Sequence, residues 1–253
     1  MIFCTITTLN RIHMAMVMAK SVKELHPNAG IAVCVVEEKI PEQARNFKYF
    51  DHIVLAKNLG HPDFYRHMFK HKLNEGCWSL KPRLLLYLLR TFQAEDRLVY
   101  LDTDTKVFSP FHEVNQVLDQ SPIILTPHIT HPSMQDELEK MQDELEILKH
   151  GLYNSGFIAL KRTEESLRFL NWWTERLNRL CYRDLSRGIY GDQRWLDLAP
   201  IYFDVHILQH PGYNVAKWNL YHRKITLTNG KFLVNDQPLR FYHFAGFSRI
   251  RYS

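Results

Sequence analysis

The chain has 253 residues, of which 45% are hydrophobic, 23% charged and 13% aromatic, so it can bury a core and is neither a disordered tail nor a collagen-like repeat. Lys and Arg total 32 against 27 Asp and Glu, and the resulting +5 is spread along the chain rather than gathered in a tail. That balance suits an anionic small ligand or a membrane surface better than duplex DNA, and no nucleic-acid partner is expected. Cys4, Cys34, Cys77 and Cys181 form no CxxC pair, which excludes a zinc ribbon, a thioredoxin motif and a dense disulfide framework and points to a reducing compartment. No run reaches the roughly 18 apolar residues of a spanning helix, and no basic segment precedes the first apolar run as a signal peptide requires. A soluble cytoplasmic protein is expected, with peripheral association at the inner face of the membrane as the alternative.

The first hundred residues alternate between short apolar runs and longer amphipathic ones. Ile2–Thr7, residues 31–36, His52–Leu55 and Arg97–Leu101 have strand length and β-branched or aromatic enrichment, while residues 14–25, 63–74 and 82–92 have helical spacing. Asn10 is placed to cap the first helix, and Pro27 with Asn28 to end it. Strand and helix in repetition predict an α/β protein with a mostly parallel sheet flanked by helices.

After residue 101 the texture changes. Residues 123–125 and 157–160 still read as central strands, but 202–204, 224–227, 232–234 and 239–243 are shorter, with Asn229-Gly230 as a hairpin turn. With no Gly/Ser or Pro-rich linker, one domain over residues 1–253 is expected, with an α/β half to residue 105 and a mixed half beyond it. Within the second half Met134-Gln-Asp-Glu-Leu-Glu139 recurs as Met141-Gln-Asp-Glu-Leu-Glu146. The repeat predicts an amphipathic helix over residues 133–150, too short for a coiled coil. Six acids against two lysines on that segment suggest that Met134, Leu138, Met141 and Leu145 face the protein and the acids face water.

The strongest chemical signal is Leu98-Val-Tyr-Leu-Asp-Thr-Asp-Thr105, an apolar strand delivering Asp102 and Asp104 at its C-terminal end, where parallel sheets bind ligands. Alternation puts both carboxylates on one face, and hard oxygen ligands so close together suit Mn²⁺ or Mg²⁺. Two chemistries use such an element: a DxD motif that holds a divalent ion against the diphosphate of a nucleotide sugar, and the DxDxT of haloacid-dehalogenase-type phosphatases, which supplies an aspartyl nucleophile. The phosphatase nucleophile normally ends the first strand of its domain. Here three strand–helix units precede it, the order of a GT-A glycosyltransferase.

Thr5-Ile-Thr-Thr-Leu-Asn10, Cys77-Trp-Ser-Leu-Lys-Pro82, Tyr100-Leu-Asp-Thr-Asp104, Tyr153-Asn-Ser-Gly-Phe157, Gly191-Asp-Gln193 and His243-Phe-Ala-Gly246 follow one another as in the glycogenin-like and related bacterial GT-A glycosyltransferases, which the chain resembles over nearly its whole length. The resemblance makes residues 1–105 the nucleotide-binding half and residues 106–253 the acceptor-side half. It implies that Asp102, Asp104 and His243 ligate the metal, with Thr103 and Gly246 beside the bound nucleotide in the same motifs. It implies that Arg249, where the family has a Lys, meets the donor phosphates, and that Lys81 does so or reaches the ribose. Thr7 and Thr8 fall where the first strand meets nucleobase and ribose, and Asn154 and Ser155, in a turn before residues 156–160, where the donor sugar lies. Asp192 and Gln193 form the remaining acid and amide pair, with Asp192 equally suited to cap a helix. The implied activity is transfer of a sugar from a nucleoside diphosphate donor, UDP-linked in the family, to a glycan, lipid-linked or protein hydroxyl, with retention of configuration. A phosphatase, or a nucleotide-sugar-binding pseudoenzyme without turnover, stays as the alternative.

Other clusters carry less. Trp172, Trp173 and Leu177 read as helix core, and His61, His67 and His71 as a stack without nearby acids. His128 and His131 fall in a proline-flanked loop suited to an acceptor rim, and Asn214 and Lys217 in a polar loop suited to the sugar pocket.

Overall fold

A computed structural model describes residues 1–132 and 138–246. In chain order the first half supplies β1 (Ile2–Thr7), α1 (Ile12–Leu25), β2 (Gly30–Val35), α2 (Glu42–Arg45), β3 (His52–Leu55), α3 (Phe64–Phe69), α4 (Leu73–Ser79), α5 (Lys81–Thr91) and β4 (Arg97–Leu101). The second half supplies β5 (Thr105–Val107), α6 (His112–Leu118), β6 (Ile123–Pro127), α7 (Leu138–His150), β7 (Tyr153–Lys161), α8 (Glu164–Leu180) and β8 (Arg183–Asp184). It continues with β9 (Ile189–Tyr190), α9 (Ala199–Tyr202), β10 (Val205–Ile207), β11 (Ile225–Thr228), β12 (Lys231–Val234), β13 (Gln237–Pro238) and β14 (Phe241–His243).

Seven strands form one sheet in the order β10-β6-β7-β4-β1-β2-β3, drawing on both halves of the chain. All neighbours run parallel except β7, which is antiparallel to β4 and β6. Period-two alternation sends Cys4, Ile6, Leu98 and Tyr100 to one face, against Leu84, Leu85, Leu88 and Leu89 of α5 and Phe169 and Trp173 of α8. Phe3, Val99, Leu101 and Phe157 go to the other, against Ala15, Met18 and Val22 of α1 and Val114 and Leu118 of α6. Burial on both faces is why these strands are apolar throughout. All four cysteines are free, and Cys4 and Cys34 belong to this core.

Several boundaries differ from the expectation for physical reasons. The helix expected over 63–74 splits into α3 and α4, because the Glu75 carboxylate accepts the Lys72 N–H at 3.0 Å and restarts the helix there. Asn10 lies in a short 3₁₀ turn, Leu9–Arg11, and Arg11 rather than Asn10 precedes α1, with no side-chain cap. Residues 202–204 join the end of α9 to β10 instead of forming a strand. Asn154 and Ser155 lie inside β7, not in a turn before it. The hairpin at Asn229-Gly230 has positive φ at both positions, 51° and 75°, which Asn and Gly tolerate. Among the described residues no helix is long and apolar enough to cross a membrane.

Trp173 is fully buried, stacks on Phe169 at 5.7 Å and donates its indole N–H to the Asp192 carbonyl at 3.1 Å. Replacing Trp173 by Ala is expected to cost about 3–5 kcal/mol of unfolding free energy in a urea titration.

Candidate active site

A cavity of about 640 Å³ opens at the C-terminal ends of β1 and β4. Thr7 and Thr8 line it from β1, and Tyr100, Asp102, Thr103 and Asp104 from β4. Because β7 runs antiparallel, its beginning lies beside the end of β4: the Asp102 N–H donates to the Gly156 carbonyl at 2.9 Å, and Asn154 and Ser155 join the lining. Asp192 and Gln193 enter from the loop after β9, and His243 from β14.

The two carboxylates are brought together by a turn rather than by strand alternation, since β4 ends at Leu101 and Thr105 already begins β5. The Thr105 hydroxyl donates to the Asp102 carbonyl at 2.8 Å and fixes that turn. Antiparallel pairing of β14 with β5 sets His243 opposite Thr105, and the Phe244 N–H donates to the Asp104 carbonyl at 2.7 Å. One ligand atom from each of Asp102, Asp104 and His243 therefore lies within 4.8 Å of the others. Gly156 sits beneath this group, where a Cβ would come within 2.8 Å of Asp102 Oδ2 and 2.7 Å of His243 Cε1 and Asn154 Oδ1. Two carboxylates and one imidazole fit a hard divalent cation such as Mn²⁺ or Mg²⁺. Burial raises the Asp104 carboxyl, but the hydrogen bond and charge of His243, Nε2 to Oδ1 at 3.1 Å, outweigh it and hold the group below its ordinary value. Asn154 Nδ2 lies 3.2 Å from His243 Nδ1 and also donates to Asn214 Oδ1 at 3.0 Å.

Lys81 is buried at the cavity wall. It occupies the first turn of α5, is only 2% exposed, and its ammonium lies 2.9 Å from Asp192 Oδ2 and 3.3 Å from Asp102 Oδ1. It also donates to the Ser155 carbonyl and hydroxyl, both at 3.1 Å, and stands 5.0 Å over the Tyr100 ring, whose hydroxyl donates to Asp102 Oδ1 at 2.9 Å. Burial lowers the Lys81 pKa, yet the two carboxylates overcome it and the net shift is upward, so the charge is retained. Burial raises Asp192, with Lys81 opposing. The Lys81 ammonium thus faces two carboxylates where it lines the cavity. Nor does Asp192 cap a helix, because Gln193 precedes the 3₁₀ turn Arg194–Leu198. The Gln193 amide bridges instead, accepting from Ser155 N–H at 3.3 Å and donating to the His150 carbonyl at 3.1 Å.

Other expectations divide. Gly246, at φ 74°, adjoins Ala245, which lines the cavity, while Gly246 itself does not. Arg249, Met134 and the rest of 133–137 lie outside the described residues. Asn214 is fully buried behind Asn154 and Lys217 bonds the Gly246 carbonyl, so neither lines the cavity; their neighbour Trp218 does, 5.6 Å from the His243 ring. His128 lines the cavity with its pKa pushed down by burial to about 4, whereas His131 is outside it. His61, His67 and His71 stack at 4.4 and 4.7 Å outside the cavity. The face of α7 differs from the one expected: Asp143, Glu146 and Ile147 line the cavity, Leu145 and Leu148 are 54% and 58% exposed, and Met141 is half-buried. Sequence reasoning passed over Arg11, Trp78 and Arg183, which also line it. Arg11 had a signal, its place just beyond the end of β1.

No protein-family model matches the chain. It is 25% identical over 253 residues to YfnD and 28% over 251 residues to YfnF of Bacillus subtilis strain 168, both uncharacterized, spanning 98% and 97% of this chain and 78% and 81% of theirs. Among solved structures it is similar to the galactosyltransferase LgtC in complex with donor and acceptor sugar analogues, at 16% identity and TM-score 0.57 over 97% of this chain and 87% of that one. Mouse xyloside xylosyltransferase 1 is similar at 14% identity and TM-score 0.55, over 96% of this chain and 97% of that one. The chain has the GT-A glycosyltransferase fold. In this GT-A frame Asp102 and Asp104 follow β4 of the central sheet and His243 joins them from β14, which pairs with β5.

Replacing Lys81 by Met leaves Asp102 and Asp192 without their shared cation and is expected to cost about 3–5 kcal/mol of stability. Adding Asp192→Asn should recover part of that loss in the same denaturation series, because it removes one of the stranded charges.

Proposed function

We propose that this chain is a metal-dependent glycosyltransferase that moves a sugar from a nucleoside diphosphate donor, most simply a UDP-sugar, to a hydroxyl acceptor. The observation that carries this reading is the convergence in one GT-A cavity of the Asp102, Asp104 and His243 ligand set with the Lys81–Asp192 pair. Thr7 and Thr8, at the end of β1, would bind the base and ribose, and Thr103 the ribose side of the DxD turn.

A divalent cation held by Asp102, Asp104 and His243 would supply positive charge opposite the diphosphate. Unit charges 4 Å apart at an effective dielectric of 20 interact by about 4 kcal/mol, about three powers of ten in rate if realised only in the transition state. Arg11, exposed at the cavity wall and without an ion pair among the described residues, is the protein cation we assign to the phosphates in place of Lys81. Arg249 remains the resemblance's proposal for a second. Asn154, Ser155 and Gln193 present amide and hydroxyl groups to the donor sugar, and Asp192, tied to Lys81, would orient sugar hydroxyls.

In this reading the acceptor oxygen bonds to the anomeric carbon as the bond to the diphosphate oxygen breaks, and the acceptor proton leaves with the diphosphate. We assign retention, because the resemblance implies it and because Asp192 is engaged by Lys81 rather than free to take a proton. The phosphatase alternative loses its support, since Asp102 follows the fourth strand of the chain in a GT-A fold and is held by Lys81 and Tyr100.

Asp102→Asn or Asp104→Asn should abolish transfer and remove the Mn²⁺ dependence of UDP binding in a thermal-shift panel. Unchanged metal dependence in either variant refutes the ligand set. His243→Ala should weaken Mn²⁺-dependent UDP binding by calorimetry while UDP binding without metal stays the same. Asp192→Asn should lower turnover far more than UDP affinity, measured as kcat against the UDP dissociation constant.

A further inference from the structure

One wall of the cavity is built on the β8–β9 hairpin, which leads directly into Asp192. Arg183 begins that hairpin and pairs with Tyr190 across it. Its guanidinium carbon lies 4.9 Å over the Trp78 ring and 5.2 Å over the Tyr190 ring, and all three side chains line the cavity. Cation–π contacts of this kind hold the guanidinium in place without consuming its N–H donors. The supports are themselves fixed. The Glu75 carboxylate accepts the Arg183 backbone N–H at 3.1 Å, and Trp78 packs on Gly191, where a Cβ would come within 2.7 Å of the indole.

Arg183 has no carboxylate partner among the described residues. The other charges of the lining are mostly accounted for: Lys81 neutralises Asp102 and Asp192, His243 bonds Asp104, and Glu146 pairs with Lys149 and His150. An arginine packed against two aromatic rings at the wall of a binding cavity, its guanidinium unpaired with any carboxylate among the described residues, matches the planar or tetrahedral oxygens of a carboxylate or phosphate.

We propose that Arg183 forms a subsite for an anionic group carried by the acceptor, so that the acceptor is a phosphorylated or carboxylated sugar or polyol rather than a neutral one. This rests on the transferase reading and sharpens its substrate class. Asp143 faces the same space from α7 and opposes any anion there, so its removal strengthens binding if the ligand is anionic.

The test is calorimetric titration of glucose, glucose 6-phosphate and glucuronic acid into the protein loaded with UDP and Mn²⁺, for the native chain, Arg183→Ala, Arg183→Lys and Asp143→Asn. At least one anionic sugar is expected to bind roughly ten- to hundredfold more tightly than glucose. That advantage should vanish in Arg183→Ala, return in part with Arg183→Lys and grow with Asp143→Asn, while UDP affinity is unchanged in all three variants. The phosphate and carboxylate arms separate the two anion types. Equal binding of neutral and anionic sugars, no Arg183-dependent binding of either anion, or an Asp143→Asn loss that copies Arg183→Ala overturns the subsite; the last would mean that the arginine holds α7. Absence of Mn²⁺-dependent UDP binding in the native chain would instead defeat the transferase reading itself.

Discussion

The site depends on one buried ammonium. Lys81 lies between Asp102 and Asp192, residues from opposite halves of the chain, and without it two carboxylates would face each other, one of them, Asp192, buried. Desolvating Lys81 and Asp192 is expensive, and the arrangement is supported by the reach of Lys81 to Ser155 and by the ring of Tyr100 beneath it. The pair also sets the position of the Gly191-Asp192 segment relative to the DxD turn. Trp173, donating to the Asp192 carbonyl, extends that constraint into the core beneath the sheet. Stability and site geometry are therefore the same set of contacts.

The sheet was readable in the sequence wherever both faces of a strand are buried. Ile2–Thr7 and Arg97–Leu101 match their apolar runs, because burial on both faces leaves little room for polar residues. The antiparallel course of β7 was not readable, since an apolar run has no direction. That one reversal converts Asn154 and Ser155 from a turn into strand residues beside Asp102. The DxD cluster was legible as chemistry, but its geometry comes from a turn that periodicity does not report. Lys81 was visible as a candidate and its engagement was not, because its partners lie far away in sequence.

Helix α7 shows a different limit. Its heptad repeat gives a clear apolar stripe, and the stripe alone argues that Leu145 packs inward. In the fold the neighbouring surface is an open cavity rather than a core, so polar Asp143 and Glu146 line it and Leu145 and Leu148 remain exposed. Amphipathicity identifies two faces of a helix. Which one meets the protein depends on whether a core or a water-filled space lies alongside, and that is a property of tertiary structure.

The separation between Asp104 and His243, 139 residues along the chain, bears on how the protein is made. The imidazole reaches the turn only when β14 pairs with β5, so a nascent chain that already displays Asp102 and Asp104 still lacks the third member of the cluster until residue 243 has been made. A prematurely terminated product that ends before residue 243 would carry most of the sheet and both carboxylates, yet only two of the three clustered groups.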